Sequence, residues 1–117
     1  MNSSTNRQQS TLDKIARSLG TKPNAIAFEQ LSVTGTAASL ASLPSDATYA
    51  EVIVESTVAA PTYSIRYRID GPLPTGSVGM PASMGTVFGI DGQENLKKFS
   101  AIQTGAGTHL LSITYFR

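Results

Sequence analysis

The chain has 117 residues, a formal net charge of +1, and only 15% charged residues. This length predicts one domain with one core, and the low charge excludes a field strong enough to bring the chain onto nucleic acid or an anionic membrane. The absence of cysteine excludes disulfides, thiolate metal sites and cysteine nucleophiles.

The amino end is polar and contains neither a signal sequence nor a membrane span. No apolar run approaches the roughly 18 residues that cross a bilayer, and the first 20 residues are not signal-like. We therefore expect a protein that is made soluble in the cytoplasm of its producer.

Residues 1–24 predict an extended arm followed by a short helix, distinct from the domain that follows. Residues 1–9 are polar after the start methionine and have nothing to bury, which predicts an arm. Across residues 10–20, apolar side chains follow the i, i+3, i+4, i+7 spacing of an amphipathic helix. They are Leu12, Ile15, Ala16 and Leu19. So short a helix does not persist alone in water, so it must dock either on its own β-domain or on a partner.

Charge is divided unevenly between the two parts of the chain. Residues 1–24 contain four basic residues and one acidic residue, whereas residues 25–117 contain five basic and seven acidic residues. The amino end is therefore the basic end.

Residues 25–117 predict an all-β domain, because short alternating segments recur at near-regular spacing between turn signals. The predicted strands are 25–33, a weaker 37–43, 49–58, 63–69, 86–90, 96–104 and 109–116. Seven or eight such strands predict an antiparallel sandwich or jelly roll. The Ala59-Ala60-Pro61 turn predicts a hairpin between the segments at 49–58 and 63–69, and Asp91-Gly92 is another hairpin-type dipeptide.

The stretch at 63–81 is the structural centre of the predicted domain. Its alternation places Tyr63, Ile65, Tyr67 and Ile69 on a core face and the two arginines of the segment on the other. Asp70-Gly71 then ends the strand, and three prolines prevent a central ladder from continuing. Residues 71–81 therefore predict a stiff loop, poor in backbone donors, that is suited to packing against a neighbour.

No constellation of residues predicts catalysis, a metal or a cofactor. His109 is the only histidine and is expected on a strand surface. Glu51 and Glu55 are about 13 Å apart along an extended strand, too far for a close catalytic pair. Arg66 and Arg68 are expected to pair with these glutamates across the hairpin rather than to bind nucleic acid.

The residue order across 63–81 is the main point of similarity to a known group of proteins. Together with Phe88-Gly89-Ile90, residues 99–102 and the terminal residues 112–117, it resembles small structural proteins of tailed bacteriophage virions. The resemblance covers about residues 29–117 and leaves out the arm and helix. It implies a jelly-roll β-sandwich that acts as a capsid cement or decoration protein, or as a small fitting of the head–tail apparatus.

The resemblance also implies a set of partners and a location. The expected location is the virion, and the expected partner is the major capsid protein, with a portal, adaptor or tail protein as the alternative. We also expect a homo-oligomer. The predicted contact residues lie in the amino-terminal segment and in the proline loop: Arg7, Leu12, Ile15, Arg17, Leu19, Gly71, Pro72, Leu73, Pro74, Met80 and Pro81.

A glycan-binding module of a receptor-binding protein is a further alternative, because jelly rolls often bind sugars. The chain has no tryptophan to stack on a sugar ring, so tyrosines would have to replace it if they are exposed. The candidates are Tyr49, Tyr63, Tyr67 and Tyr115.

Overall fold

The computed structural model describes residues 23–117. The predicted arm and helix, with the predicted contact residues Arg7, Leu12, Ile15, Arg17 and Leu19, lie outside the described residues. The described elements are β1 (Ala25–Val33), β2 (Ala38–Ser39), β3 (Tyr49–Ser56), β4 (Tyr63–Arg68), β5 (Met80–Ser83), β6 (Val87–Asp91), α1 (Gln93–Lys98), β7 (Ser100–Gln103) and β8 (His109–Phe116).

The eight strands form two antiparallel four-stranded sheets. The first sheet has the order β1-β8-β3-β6 and the second has the order β2-β7-β4-β5. Strands β1 to β4 thus pair with β8, β7, β6 and β5 respectively, like one long ribbon folded back and rolled into two layers. This is the arrangement of an eight-stranded jelly roll, and it confirms the predicted antiparallel sandwich.

The first sheet follows the sequence alternation closely. Alternation along the segment at 49–58 predicts Ala50, Val52 and Val54 inward and its two glutamates outward. In β3 these three residues are buried and both glutamates are exposed. In β8, Leu111 and Ile113 are fully buried, and the register places Ile113 opposite Val52. Because alternate residues of a strand point to opposite faces, this sheet buries one continuous apolar face against the second sheet.

An aromatic cluster joins the two sheets. The rings of Tyr67 in β4 and Phe88 in β6 are stacked, with centroids 4.1 Å apart and planes inclined by 6°. Phe99, which is fully buried, lies 5.9 Å from the Tyr67 ring. Aromatic pairs of this kind contribute about 0.5–1.5 kcal/mol beyond their buried area, so the cluster helps to fix one sheet on the other.

A β-bulge at the start of β4 changes the predicted face of Tyr63. Tyr63 lies opposite Ser83 and Ile65 lies opposite Ala82, so two steps along β4 match one step along β5. Ser64 and Ile65 are both buried, whereas Tyr63 is 51% exposed. The prediction that Tyr63 belongs to the core is therefore wrong, because one extra residue in the ladder reverses the alternation before it.

The predicted hairpin between β3 and β4 is also wrong. These strands belong to different sheets, so residues 57–62 cross from one layer to the other. The two arginines therefore do not meet the glutamates of β3. Arg66 donates instead to the carbonyl of Gly79 at 2.8 Å, and Arg68 forms an ion pair with Asp70 at 2.6 Å. Ile69, predicted inside, follows the end of β4 and is 36% exposed.

The predicted strand at 96–104 begins too early, because residues 93–98 form the helix α1. Gly92, with φ of 99°, turns the chain from β6 into this helix, so Asp91-Gly92 does not form a hairpin turn. Glu94 in the first turn and two lysines in the last turn complement the helix dipole. These charges and the helix-favouring residues of 93–98 were the signal for a helix. Only Ser100–Gln103 forms a strand, β7.

Candidate interaction surface

The proline loop connects β4 to β5 at one end of the second sheet and is fixed at its base. The Arg68 guanidinium donates to both carboxylate oxygens of Asp70, at 2.9 and 2.6 Å. This bidentate contact holds the pKa of Asp70 below its usual range. On the other side of the loop, the hydrogen bond from Arg66 holds the carbonyl of Gly79.

The tip of the loop is closed by its own hydrogen bonds. The amides of Thr75 and Val78 donate to each other's carbonyls, at 2.9 and 3.3 Å. The Thr75 hydroxyl also accepts from the amides of Ser77 and Val78. Two residues of the loop, Pro72 and Pro74, are prolines without an amide hydrogen and three further amides are engaged within the loop, so the loop offers a neighbour fewer backbone donors than its length would allow.

The loop packs back onto β4 through Gly79 and Pro74. Gly79 has φ of 135°, and a Cβ at this position would lie 3.1 Å from the Tyr67 carbonyl oxygen and 3.2 Å from Cβ of both Arg66 and Pro74. Only glycine fits so close an approach without strain. Pro74, predicted to be a contact residue, is buried here, and therefore supports the loop from within rather than facing a partner.

Large apolar side chains remain exposed on the outside of this loop and on the strand that follows. Leu73 is 64%, Val78 51% and Met80 59% exposed. We call these three residues, together with the exposed Pro72 and Pro81, the proline-loop surface. Val78 was not predicted, because the residues around it lack any periodicity. Gly71 is exposed as well, with φ of 108°.

Met80 and Pro81 belong to β5 rather than to the loop. β5 is an edge strand of the second sheet, and Pro81 lies opposite Arg66 of β4. An edge proline interrupts the donors that another strand would need for pairing. The proline-loop surface is therefore suited to side-chain packing rather than to extension of the sheet.

His109 is buried, with 1% of its surface exposed, so the prediction of a strand-surface histidine is wrong. It shares the inward parity of Leu111 in β8. Its Nε2 lies 3.2 Å from the Gly105 carbonyl oxygen, which can only accept, so Nε2 carries the hydrogen. Its Nδ1 then accepts from the Ser56 hydroxyl at 2.9 Å.

The Ser56–His109 contact resembles half of a catalytic triad but lacks its third member. The ring donates to a backbone carbonyl, not to the carboxylate that orients a catalytic histidine. The Ser56 hydroxyl in turn accepts from the amide of Val58. These hydrogen bonds hold the end of β3 to the start of β8, where Ser56 and His109 are paired in register.

Within residues 23–117, no group of three or more histidine, cysteine, aspartate or glutamate side chains is placed to hold a metal ion. No helix of this part of the chain is both long and apolar enough to cross a membrane.

Of the four tyrosines, Tyr63 alone is well exposed, and the Arg66 guanidinium carbon lies 5.9 Å from its ring centroid. Tyr115 is buried and Tyr67 is stacked on Phe88. Tyr49 is half-buried, and its ring covers Gly89, where a Cβ would collide with it. A sugar ring could thus stack on Tyr63 but not on all four tyrosines.

In comparisons with known proteins, no family model, curated protein or solved structure matches this chain. The fold, the exposed surfaces and the sequence resemblance described above are therefore the grounds on which a function can be proposed.

Proposed function

We propose that this chain is a non-enzymatic structural protein of a tailed bacteriophage virion, and that it acts as a capsid cement or decoration protein. The observation that supports this most is a jelly-roll strand order with a rigid apolar loop at one end. Double-sheet jelly rolls are common in viral capsid proteins and in lectins. Of these two roles, the sequence resemblance favours that of a capsid protein over that of a lectin.

The proline-loop surface is suited to bind a protein that does not change its shape. Its prolines, its internal hydrogen bonds and the clamps at Asp70 and Gly79 leave little conformational freedom to lose on binding. Burial of apolar side chains such as Leu73 and Met80 contributes about 25 cal/mol for each Å² removed from water. A cement protein would use such contacts to bridge neighbouring capsid subunits, over roughly 1,000 Å² or more in total.

The amino-terminal segment is the second proposed contact. Its basic residues, among them Arg7 and Arg17, would meet an acidic partner surface. Homo-oligomer formation on the capsid is part of the same proposal.

Electron microscopy of particles that lack this protein tests the proposal. We expect density to be missing from the outside of the head and the heads to break at lower temperature or osmotic stress. Intact heads that are equally robust, with no density missing, would contradict the proposed role. Density missing from the collar or tail instead would mean that the protein is a fitting of the head–tail apparatus, which is the alternative.

The number of copies in each particle separates the two virion locations. A cement protein repeats over the capsid lattice and should be present in hundreds of copies, whereas a fitting bound to a ring of portal or tail subunits should be present in tens. Quantitative mass spectrometry of purified particles, with the major capsid protein as the internal standard, measures this ratio.

A glycan-binding module is the second candidate, and the exposed Tyr63 beside Arg66 favours it. An aromatic face with an adjacent cation is a suitable platform for a sugar ring and an acidic substituent. A glycan array tests it directly. Binding that is lost in Tyr63→Ser would support this candidate, and an array without hits would remove it.

A further inference from the structure

The edge strand β6 has a free side along its backbone. It is the last strand of the first sheet and pairs only with β3. The amide of Gly92 donates to the Thr48 carbonyl at 2.8 Å, so the even-numbered residues of this stretch direct their backbone groups towards β3. Because successive residues of a strand alternate in direction, Val87 and Gly89 direct theirs away from the sheet. Within the described part of the chain these amides and carbonyls are therefore open to another strand.

The other three edge strands have features that hinder pairing. β2 has only two residues and β5 contains Pro81. β1 carries Glu29, whose carboxylate accepts from the amides of Ala41 and Ser42 at 3.2 and 2.9 Å, so the segment after β2 is tied to this edge. Short strands, prolines, charges and covering segments are common protections of sheet edges. β6 contains no proline, lysine or arginine, and its register with β3 is unbroken.

Exposed apolar side chains border the β6 edge. Val87 is 57% exposed and lies opposite Ile53 of β3, which is 39% exposed. Met84, in the turn that connects β5 to β6, is 42% exposed. Removal of these side chains from water would favour association at this edge.

The β6 edge is complementary to itself. Gly89 has no side chain, and the half-buried Tyr49 ring lies over it, where a Cβ would collide with the ring. Antiparallel pairing of two copies centred on Phe88 places Val87 of each copy opposite Gly89 of the other, beside that Tyr49 ring. A β-branched side chain next to an aromatic ring is a favourable cross-strand pair. A two-fold contact between identical chains requires self-complementarity of this kind.

We propose that two copies of this chain pair antiparallel through β6, about a two-fold axis at Phe88, and join their first sheets into one continuous sheet. The amide and carbonyl of Val87 in each copy bond to Gly89 of the other. The two half-buried Phe88 side chains meet on the inner side of the joined sheet. The proposal rests on the homo-oligomer part of the proposed function and names the strand that forms the contact.

The contact is small and should be weak in solution. The ladder uses three residues of each copy and few apolar side chains, far fewer than the roughly 20–30 residues on each side of a standard interface. We expect a dimer with a Kd of about 10–100 μM. Attachment of neighbouring copies to one particle would raise their effective concentration and strengthen the pairing there.

Analytical ultracentrifugation of the purified full chain, without particles, tests the dimer. We expect a reversible monomer–dimer equilibrium that Val87→Lys weakens at least about tenfold, because the two lysines approach each other across the axis and lose the apolar contact. Phe28→Lys is the matched control, since Phe28 is 62% exposed on β1, at the opposite edge of the same sheet, and it should dimerise like the wild type. Thermal unfolding checks that both variants are folded.

Amide hydrogen exchange locates the contact on the backbone. The amides of Val87 and Gly89 should exchange several-fold more slowly at high than at low protein concentration, and Val87→Lys should remove this dependence at Gly89. Protection of both amides that does not depend on concentration would overturn the proposal, because it would mean that another part of the same chain covers β6.

Three results of the ultracentrifugation would also overturn the proposal. They are a wild type that is monomeric at about 1 mM, a dimer that folded Val87→Lys leaves intact, and a dimer that Phe28→Lys abolishes. These measurements contain no particles, so they separate the proposal from the virion role. A monomer that binds particles would contradict β6 pairing alone, and a dimer that binds no particles would contradict the virion role alone.

Discussion

The two sheets of this jelly roll differ in how regularly they are built. In the first sheet, β3 and β8 pair without interruption over eight residue positions, and a register shift occurs at the start of the edge strand β1, between Ala25 and Ala27. In the second sheet, β2 has two residues, β4 contains a bulge and β5 contains a proline. The long regular strands supply the larger part of the buried core, whereas the short irregular strands hold the exposed proline loop. Regular pairing thus gives stability, and irregular pairing gives a shaped surface.

The largest expected effect comes from the centre of the first sheet. Ile113→Ala removes a fully buried side chain of β8 and should lower the free energy of unfolding by about 3–4 kcal/mol, because it loses burial and leaves a cavity. Ile53→Ala is the matched control, since Ile53 lies on the outer face of the same sheet and is 39% exposed. Urea denaturation should show a loss below about 1 kcal/mol for the control. Equal losses would mean that the inner and outer faces are assigned wrongly.

The next effect comes from the edge of the same sheet, where Tyr115 donates to the Glu29 carboxylate at 2.6 Å. Glu29 also accepts from the amides of Ala41 and Ser42, so it ties the segment after β2 to β1. Tyr115→Phe should cost about 2 kcal/mol, the usual range for a hydrogen bond to a charged group. Urea denaturation at neutral pH measures this loss.

The same contact predicts a dependence on alkaline pH. Burial, followed by the hydrogen bond to Glu29, raises the pKa of Tyr115 above the ordinary tyrosine value of 10.0. A group with a raised pKa in the folded state contributes its full stability below the unfolded pKa and loses it as the pH rises above that value. Stability should therefore fall above pH 10.0 in the wild type and fall less steeply in Tyr115→Phe. Parallel decreases would contradict this assignment.

A smaller difference in stability is expected between two serine-to-alanine variants, one at the β4 bulge of the second sheet and one at the end of β3 in the first sheet. Ser64 is fully buried by the bulge, and its hydroxyl has no hydrogen-bond partner within residues 23–117. Ser64→Ala should therefore be neutral or stabilise the fold by up to about 1 kcal/mol. Ser56→Ala should instead cost about 1–2 kcal/mol, because it leaves His109 Nδ1 and the Val58 amide without their partner.

This pair of serines makes the same chemical change at two sites, so thermal unfolding of both variants compares them directly. Equal destabilisation of both would mean that Ser64 makes a hydrogen bond not seen in this structure. Unchanged thermal stability of Ser56→Ala would mean that the Ser56–His109 contact does not hold the end of β3 to the start of β8.

The sequence predictions were more accurate for the regular first sheet than for the irregular second sheet. Alternation alone identified the buried face of β3, because the uninterrupted ladder between β3 and β8 keeps its parity. Alternation failed at Tyr63, because a bulge depends on the pairing with the partner strand and cannot be recognised from the alternation of residues in β4 alone. It failed for the β3–β4 hairpin as well, because a short turn between two alternating segments does not show whether both belong to one sheet. His109 was wrongly predicted on the strand surface because histidine is polar. Its position two residues before Leu111 in β8 places it on the same, buried face.

For the contact surface, the prolines and glycines of residues 71–81 predicted the loop, but not which side chains face outward. Pro74 and Leu73 are neighbours of similar apolar character, yet Pro74 is buried and Leu73 is 64% exposed. The difference arises from Gly79, whose close approach to β4 and Pro74 depends on contacts between residues distant in sequence.

The most direct test of the proposed role uses the proline-loop surface itself. Purified particles that lack the protein are mixed with the wild type, with Leu73→Asp plus Met80→Asp, or with Ala106→Asp. Ala106 is an exposed residue between β7 and β8, at the opposite end of the second sheet. Binding is measured by co-sedimentation, and thermal unfolding checks that each variant is folded.

We predict that the wild type and Ala106→Asp sediment with the particles, and that the double variant binds at least about tenfold more weakly, because two buried apolar contacts are replaced by charges. A folded double variant that binds as tightly as the wild type would contradict the central claim that the proline loop is the contact surface.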